Sequence, residues 1–192
     1  MAKQNLILTA LLAGLLAGAL PLSAQQELNC FISDPDTQGK TNIREQPGGK
    51  VIFQVNAADF YQLTVLVQPG GWWKIKDPVL SSFGEDIALP SGEAWIHRSV
   101  LAMGTDNSDG HYRFLRTEPR AGAPKAGIIR EFNAAVRPLE VSQDGKWVKV
   151  KYEEGRLTGW IERSWLRDDA FEPGDGYGFP TLSVYSIPKT EV

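Results

Sequence analysis

Cysteine and histidine are scarce in this chain of 192 residues, which has one cysteine, Cys30, and two histidines, His97 and His111. A single cysteine excludes a disulfide within the chain. One thiol and two distant imidazoles also make a poor metal site, because metal sites need several such ligands at close spacing. We therefore predict no metal and no cofactor.

An excess of positive charge is also missing. The chain has 20 basic and 23 acidic side chains, which gives a formal net charge of -3 at pH 7. Proteins that bind nucleic acids usually carry a clear basic patch or a high isoelectric point. We therefore predict no nucleic-acid partner.

The beginning of the chain carries a long apolar run. Lys3 precedes a stretch rich in leucine, alanine and glycine from Leu6 to Leu20, and small residues follow up to Ala24. The run is short for a membrane span, and the pattern is typical of a cleaved secretory signal. We predict a signal peptide over residues 1–24, an exported protein that is periplasmic or secreted, and no membrane span after cleavage.

Helical periodicity is scarce as well, whereas short apolar runs separated by turn residues are frequent, and this pattern predicts an all-β fold. The predicted strands of the first half are Thr41–Arg44, Val51–Val55, Gln62–Gln68, Trp72–Lys76 and Ala94–Ile96. Those of the second half are Tyr112–Arg116, Gly127–Arg130, Val136–Val141, Trp147–Tyr152 and Thr158–Ile161. Asp144-Gly145 lies between two of them, and this dipeptide favours a tight hairpin turn.

The first and second halves of the sequence are similar to each other at several positions. Glu93–Leu101 reads EAWIHRSVL and Thr158–Leu166 reads TGWIERSWL. Two shorter matches precede this echo in both halves, IREQP with LRTEP and WWKI with WVKV. The common order predicts two copies of one small module, the first over residues 25–105 and the second over residues 106–168.

Three segments depart from the repeated pattern. Residues 77–92 make the first copy longer than the second, and we predict a surface insertion loop there, a type of segment that often carries function. The polar stretch Met103–Gly110 is predicted to be a linker. Residues 169–192 form a C-terminal tail whose apolar strip is either a docked strand or loose, and we favour the docked strand because exposed apolar strips are a liability.

The repeated pattern, with its Trp-x-Lys strand and a Gly-Trp-Ile ending before a short turn, resembles the bacterial SH3 (SH3b) domain family. The resemblance covers roughly residues 36–102 and 110–167. It implies two SH3-like barrels in tandem, each closed by a 3₁₀ turn that Ile96–Ser99 and Ile161–Ser164 would enter. Members of this family are common in exported envelope proteins, and some bind peptidoglycan or its peptides.

Strand alternation predicts where the six tryptophans point, because successive side chains of a strand face opposite sides. In the strand that begins at Trp147, the valines share the inner face and the lysines share the outer face with Trp147. The same rule predicts that Trp73 and Ile75 point inward and Trp72 outward. It also predicts that Ile96 and Ile161 point inward and that their neighbours Trp95 and Trp160 lie on the outer face.

An outward tryptophan is either covered by another part of the protein or lines a ligand groove. By resemblance to ordinary SH3 domains, the implied groove residues are Trp147, Glu162 and Trp165 in the second copy and Trp72, His97 and Val100 in the first. The second groove is the better candidate, because Val100 replaces an aromatic residue in the first. A proline-rich ligand is not expected, since His97 or Glu162 stands where the eukaryotic pattern has proline.

These features favour a non-catalytic binding module that recognises a cell-envelope ligand, either a cell-wall peptide or a protein segment, through aromatic surface grooves. The alternative is a structural or interaction protein whose aromatic faces are covered within the chain or by another protein. A third hypothesis is a divergent hydrolase that uses Cys30. We do not favour an enzyme, because Cys30 precedes the first repeat and has no neighbouring base in the sequence.

Overall fold

The computed structural model describes residues 25–57, 61–77, 79–82, 85–90, 92–107, 109–131, 134–152 and 156–167. The predicted signal peptide, over residues 1–24, and the predicted tail, over residues 169–192, lie outside the described residues. In the described ranges the helical elements are two 3₁₀ turns, and all other regular structure is β-strand. The predicted all-β class is therefore confirmed. None of the helices in these ranges could cross a lipid bilayer.

The strands described before residue 106 are β1 Glu27–Ile32, β2 Lys40–Arg44, β3 Val51–Asn56, β4 Gln62–Leu66, β5 Trp72–Ile75, β6 Val79–Ser82, β7 Glu85–Ala88, β8 Trp95–His97 and β9 Leu101–Thr105. Those described after residue 106 are β10 Arg113–Arg116, β11 Lys125–Ile129, β12 Ala135–Val141, β13 Trp147–Tyr152, β14 Leu157–Glu162 and β15 Leu166–Arg167. The 3₁₀ turns are Arg98–Val100 after β8 and Arg163–Trp165 after β14. Every strand predicted from the sequence is present, with its ends displaced by at most two residues.

The two halves pair their strands in the same way. Strands β2 and β3 form a hairpin whose register shifts at Ile43 and Arg44, and β10 and β11 form one whose register shifts at Leu115 and Arg116. Arg44 lies opposite Trp95 of β8, and Arg116 lies opposite Trp160 of β14. In the same order, β4–β5–β8 and β12–β13–β14 form antiparallel meanders.

All pairings join into one antiparallel network in the order β11-β10-β14-β13-β12-β9-β1-β4-β5-β8-β2-β3, and β15, β6 and β7 pair beside this path. The network does not close on itself, so the two closed barrels expected from the resemblance are not confirmed.

Strand β9 connects the halves and corrects the predicted linker Met103–Gly110. Ala102 pairs with Phe31 of β1, and Met103 pairs with Val136 of β12. All five residues of β9 are buried. A strand that is covered on both faces lacks polar alternation, and this is why its glycine and threonine read as a linker.

The insertion predicted over residues 77–92 contains the hairpin β6–β7, which pairs with β4 through Ser81 and Gln62. Leu80 of this hairpin is completely buried. Strand β1 was not predicted either, although Leu28, Cys30 and Ile32 alternate inward along it. The buried Cys30 therefore serves as a small core residue in an N-terminal strand.

Two arginines tie the halves together. The Arg98 side chain donates a hydrogen bond to the backbone oxygen of Leu139. In the opposite direction, Arg137 Nη1 donates to the backbone oxygens of Ser33 at 2.7 Å and Ser99 at 2.8 Å. Burial lowers the pKa of the Arg137 guanidinium from its usual value, and the nearby carboxylate of Asp34 opposes this effect. Each half thus supplies a cation that satisfies carbonyls of the other.

Candidate ligand-binding grooves

The second half carries a surface groove of about 790 Å³. Three segments line it, namely Pro119–Ala121 of the β10–β11 turn, Asp144–Trp147 of the β12–β13 turn, and the neighbourhood of the second 3₁₀ turn from Glu162 to Ser164 with Leu166. The β12–β13 turn has a definite shape because Gly145 adopts φ 72°, a left-handed conformation that glycine tolerates best. Asp144 accepts hydrogen bonds there from the Ser142 hydroxyl at 2.6 Å and from the Lys146 backbone N–H at 3.1 Å.

Trp147 and Glu162 meet in this groove because they pair directly across strands β13 and β14. The backbone N–H of Trp147 donates to the Ser142 hydroxyl at 3.0 Å, which ties the strand to the preceding turn. The structure thus brings together two of the residues that the resemblance implied for a binding site.

The expected exposure of Trp147 is wrong. Its residue is only 6 % exposed, while Val148 is completely buried, as predicted. Trp147 and Val148 alternate as predicted, and Val148 lies in the apolar core cluster, but the position of Trp147 is nearly covered as well. The same correction applies to Trp160, which is 8 % exposed and has the Lys149 ammonium 5.7 Å from its ring centroid.

The groove carries charges of both signs. Arg120, Lys146 and Arg163 supply cations, and Asp144 and Glu162 supply carboxylates. Hydrogen bonds from the Ser142 hydroxyl and the Lys146 backbone N–H hold the pKa of Asp144 below its ordinary value, so this carboxylate is charged near neutral pH. A ligand with both an ammonium and a carboxylate group, such as a peptide, is complementary to this arrangement.

Trp165, the third residue implied for the second groove, is not among the described residues that line it. Its ring instead packs against the Arg113 guanidinium, whose carbon lies 5.1 Å from the ring centroid. Arg113 is 8 % exposed, and it donates to the backbone oxygen of Asp106 at 2.7 Å and to the Asp109 carboxylate at 2.9 Å. Through Arg113, Trp165 therefore helps to stabilise the segment from Asp106 to Asp109 that precedes β10.

The first half places Trp72 and His97 at the positions that correspond to Trp147 and Glu162, since they pair across β5 and β8. Their rings meet edge to face, with centroids 5.2 Å apart and planes inclined by 72°. Arg44 adds a guanidinium 5.8 Å from the Trp72 ring centroid. All three side chains are partly exposed, so this cluster is more open than the Trp147 ring.

The inward residues were predicted correctly. Trp73, Ile96 and Ile161 are completely buried, and Ile75 is almost so. The indole N–H of Trp73 donates to the backbone oxygen of Gln68 at 3.1 Å, which satisfies its polar atom inside the core. These four residues belong to one apolar cluster that includes residues of both halves.

The sequence did not reveal the cations beside the two aromatic positions. Arg44 and Arg120 read as ordinary surface residues near turns, and only the register of the hairpins brings them to the sites. In the described ranges, no three histidine, cysteine or acidic side chains group closely enough to hold a metal ion. The chemistry available at both sites is hydrogen bonding, ion pairing and stacking on indole faces.

Comparison with known families supports the resemblance for one half. Residues 113–167 match the family model of the bacterial SH3 domain. This range contains the groove with Trp147 and Glu162 and extends from β10 to β15. No curated protein is significantly similar to the chain.

Among solved structures, the chain is similar to NlpC2 from Trichomonas vaginalis, with 13% identity and a TM-score of 0.29 over 77% of this chain and 50% of that one. It is also similar to NlpC1 from the same organism, with 12% identity and a TM-score of 0.29 over 79% and 50%. A third structure, the CBDP35 native structure, has 14% identity and a TM-score of 0.22 over 76% and 99%. The chain spans about half the length of the two NlpC structures. Similarities this low do not transfer a function.

Proposed function

We propose that this chain is a non-catalytic binding module of the cell envelope, and that the second-half groove binds a cell-wall peptide or a segment of an envelope protein. One observation carries the proposal. Trp147 and Glu162 are paired across adjacent strands in a groove with charges of both signs, and this groove lies within the residues that match the bacterial SH3 domain.

We also propose that the first half is a second copy of the same domain. The recurring hairpin with its register shift, and the contacts Arg44–Trp95 and Arg116–Trp160, support this duplication. Under this proposal each copy is a small SH3-like barrel. Residues 1–24 would be a cleaved signal that delivers the protein to the periplasm or the exterior.

Co-sedimentation with purified peptidoglycan tests the proposed ligand. We expect the wild-type chain to sediment with the wall, and Glu162→Lys to lose most of this binding because it reverses a charge inside the groove. Glu131→Lys is the matched control, since Glu131 is exposed and is not among the described lining residues. If wild type does not sediment, or if both variants lose binding equally, the groove does not bind the wall.

A second candidate is an interaction protein whose aromatic surfaces are covered within the chain. The low exposure of Trp147 and Trp160 favours it. NMR of the indole N–H signals in the wild-type chain, with a soluble paramagnetic agent in the solvent, distinguishes the candidates. Broadening of the Trp147 signal that decreases when wall fragments are added supports the groove. Broadening that wall fragments leave unchanged supports internal cover.

A further inference from the structure

We propose that Arg44, Trp72 and His97 of the first half form a separate binding site that selects a carboxylate group beside an apolar surface. This inference rests on the proposed function, because both sites would contact one kind of envelope ligand. It adds the chemical group that the first site recognises.

The guanidinium of Arg44 is the charged element of the site. Its Nη1 atom donates to the backbone oxygen of Gly49 at 2.5 Å, which anchors the side chain to the β2–β3 turn. In the described part of the chain, Gly49 is its only hydrogen-bond partner. The guanidinium carbon lies 5.8 Å from the Trp72 ring centroid. A planar guanidinium binds a carboxylate through two parallel hydrogen bonds, so the N–H groups that do not bond to Gly49 can serve a ligand beside the indole.

The imidazole of His97 is the polar neighbour of the Trp72 ring. Its Nδ1 atom lies 2.7 Å from the Ser99 hydroxyl oxygen and 3.4 Å from the Ser99 backbone nitrogen. In the tautomer whose Nδ1 accepts these hydrogen bonds, Nε2 carries the proton and is a donor. A Cβ atom at position 71 would lie 2.4 Å from this Nε2, so the imidazole packs closely against Gly71 and a larger residue there would displace the ring. Within the described residues no protein acceptor is bonded to Nε2.

The second half has different side chains at the positions of Gly71 and His97. The backbone oxygens of Gly71 and Lys146 accept hydrogen bonds from the backbone N–H groups of Arg98 and Arg163, both at 2.8 Å, so residues 71 and 146 correspond. Lys146 replaces the glycine, and Glu162 replaces His97. The first site therefore presents donors and no carboxylate among its three side chains, while the second has an acidic group beside its indole.

The test uses N-acetyl-trialanine with a free carboxylate and, as the neutral probe, its C-terminal amide. The indole N–H signals of the full chain are followed by NMR during titration with each probe. We expect the acid to shift the Trp72 signal and to bind about tenfold more tightly than the amide, because a hydrogen bond to a charged group is lost in the amide.

Two variants assign the effect to the site. Arg44→Gln should weaken binding of the acid about tenfold, and His97→Glu should weaken it further by placing a negative charge in the site. Arg130→Gln is the matched control, because Arg130 is exposed and its guanidinium lies beside Tyr112 instead. An unchanged Trp73 indole signal verifies that each variant is folded.

Equal affinity for the acid and the amide would overturn the inference, as would full binding by Arg44→Gln. The two proposals can fail separately. Lost wall binding with intact carboxylate selectivity at Trp72 removes the proposed function alone, whereas wall binding without that selectivity removes only the present inference.

Discussion

The two halves of this chain have the same strand pairing but carry different side chains at their equivalent surface positions. Trp72 and His97 form an open, donor-rich cluster, whereas Trp147 and Glu162 lie in a groove where the indole is nearly covered. The packing of the paired strands depends on inward residues such as Ile96 and Ile161, which are the same amino acid at the equivalent positions of the two halves. The chemistry of the surface depends on outward residues that strand pairing does not constrain, and these are the residues that differ.

The largest expected difference between the halves concerns the two equivalent tryptophans. Trp147→Ala should lower the free energy of unfolding by about 3–5 kcal/mol, because it removes a buried aromatic side chain. Trp72→Ala should cost only about 1 kcal/mol, since the ring is partly exposed. Urea denaturation measures both values. Equal costs would mean that the difference in burial between the halves does not exist in solution.

The next prediction tests whether the halves form one cooperative unit. Arg137→Ala should cost about 2 kcal/mol, because the backbone oxygens of Ser33 and Ser99 lose a partly buried, charged partner. The control Arg130→Ala should be nearly neutral, as is usual for an exposed residue. Thermal unfolding monitored by circular dichroism gives the comparison. A neutral effect of Arg137→Ala would show that the halves do not depend on this contact.

A smaller effect is expected at the turns that precede the two aromatic strands. Gly70 and Gly145 both adopt left-handed conformations, with φ 91° and 72°. Alanine at either position should cost about 1 kcal/mol because of this backbone strain. The two costs should be similar, because position 70 is open and the Gln26 side-chain oxygen, which would lie 2.7 Å from a Cβ at position 145, is the end of a flexible side chain that can move away. No cost at either position in urea denaturation would contradict the described turn geometry.

The smallest effect concerns acid sensitivity at equivalent buried polar positions. Thr41 of the first half donates to Asp34 at 2.7 Å, while Arg113 of the second half donates to Asp109. The hydrogen bond from Arg113, together with that from the His111 backbone N–H, lowers the pKa of Asp109 from its ordinary value.

A lowered pKa in the folded state has a definite sign for stability. The contribution of Asp109 is present above its unfolded pKa of about 4 and is lost as the pH falls through the lower folded value. Wild type should therefore lose part of its thermal stability below about pH 4, and Asp109→Asn should show less of this loss. Identical pH profiles of the melting temperature would contradict the assigned ion pair.

The sequence predicted the strands well because their side chains alternate. In β13, Val148 and Val150 are buried and Lys151 is exposed, so its period is visible in the letters alone. Strand β9 escaped prediction because it is buried on both faces between β1 and β12, and its Gly104 and Thr105 look like linker residues.

The candidate sites were predicted only in part, for a related reason. Strand pairing could be inferred from the repeat, and it brings Trp147 to Glu162 and Trp72 to His97. The low exposure of Trp147 could not be read from the alternation of its own strand, since residues 119–121 and 162–166, which line the same groove, lie elsewhere in the sequence. Trp165 packs against the Arg113 guanidinium and does not line the groove, and this contact depends on the path of the chain before β10.

Our central proposal is that the equivalent positions Trp72 and Trp147 contact an envelope ligand while the core indole of Trp73 does not. Fluorine NMR of the chain labelled with 5-fluorotryptophan tests it directly, with soluble peptidoglycan fragments as the added probe. We expect the Trp147 and Trp72 signals to shift with increasing fragment concentration and the signal of the completely buried Trp73 to stay in place. No shift at either outer tryptophan, at fragment concentrations that saturate a known wall-binding protein, would contradict it.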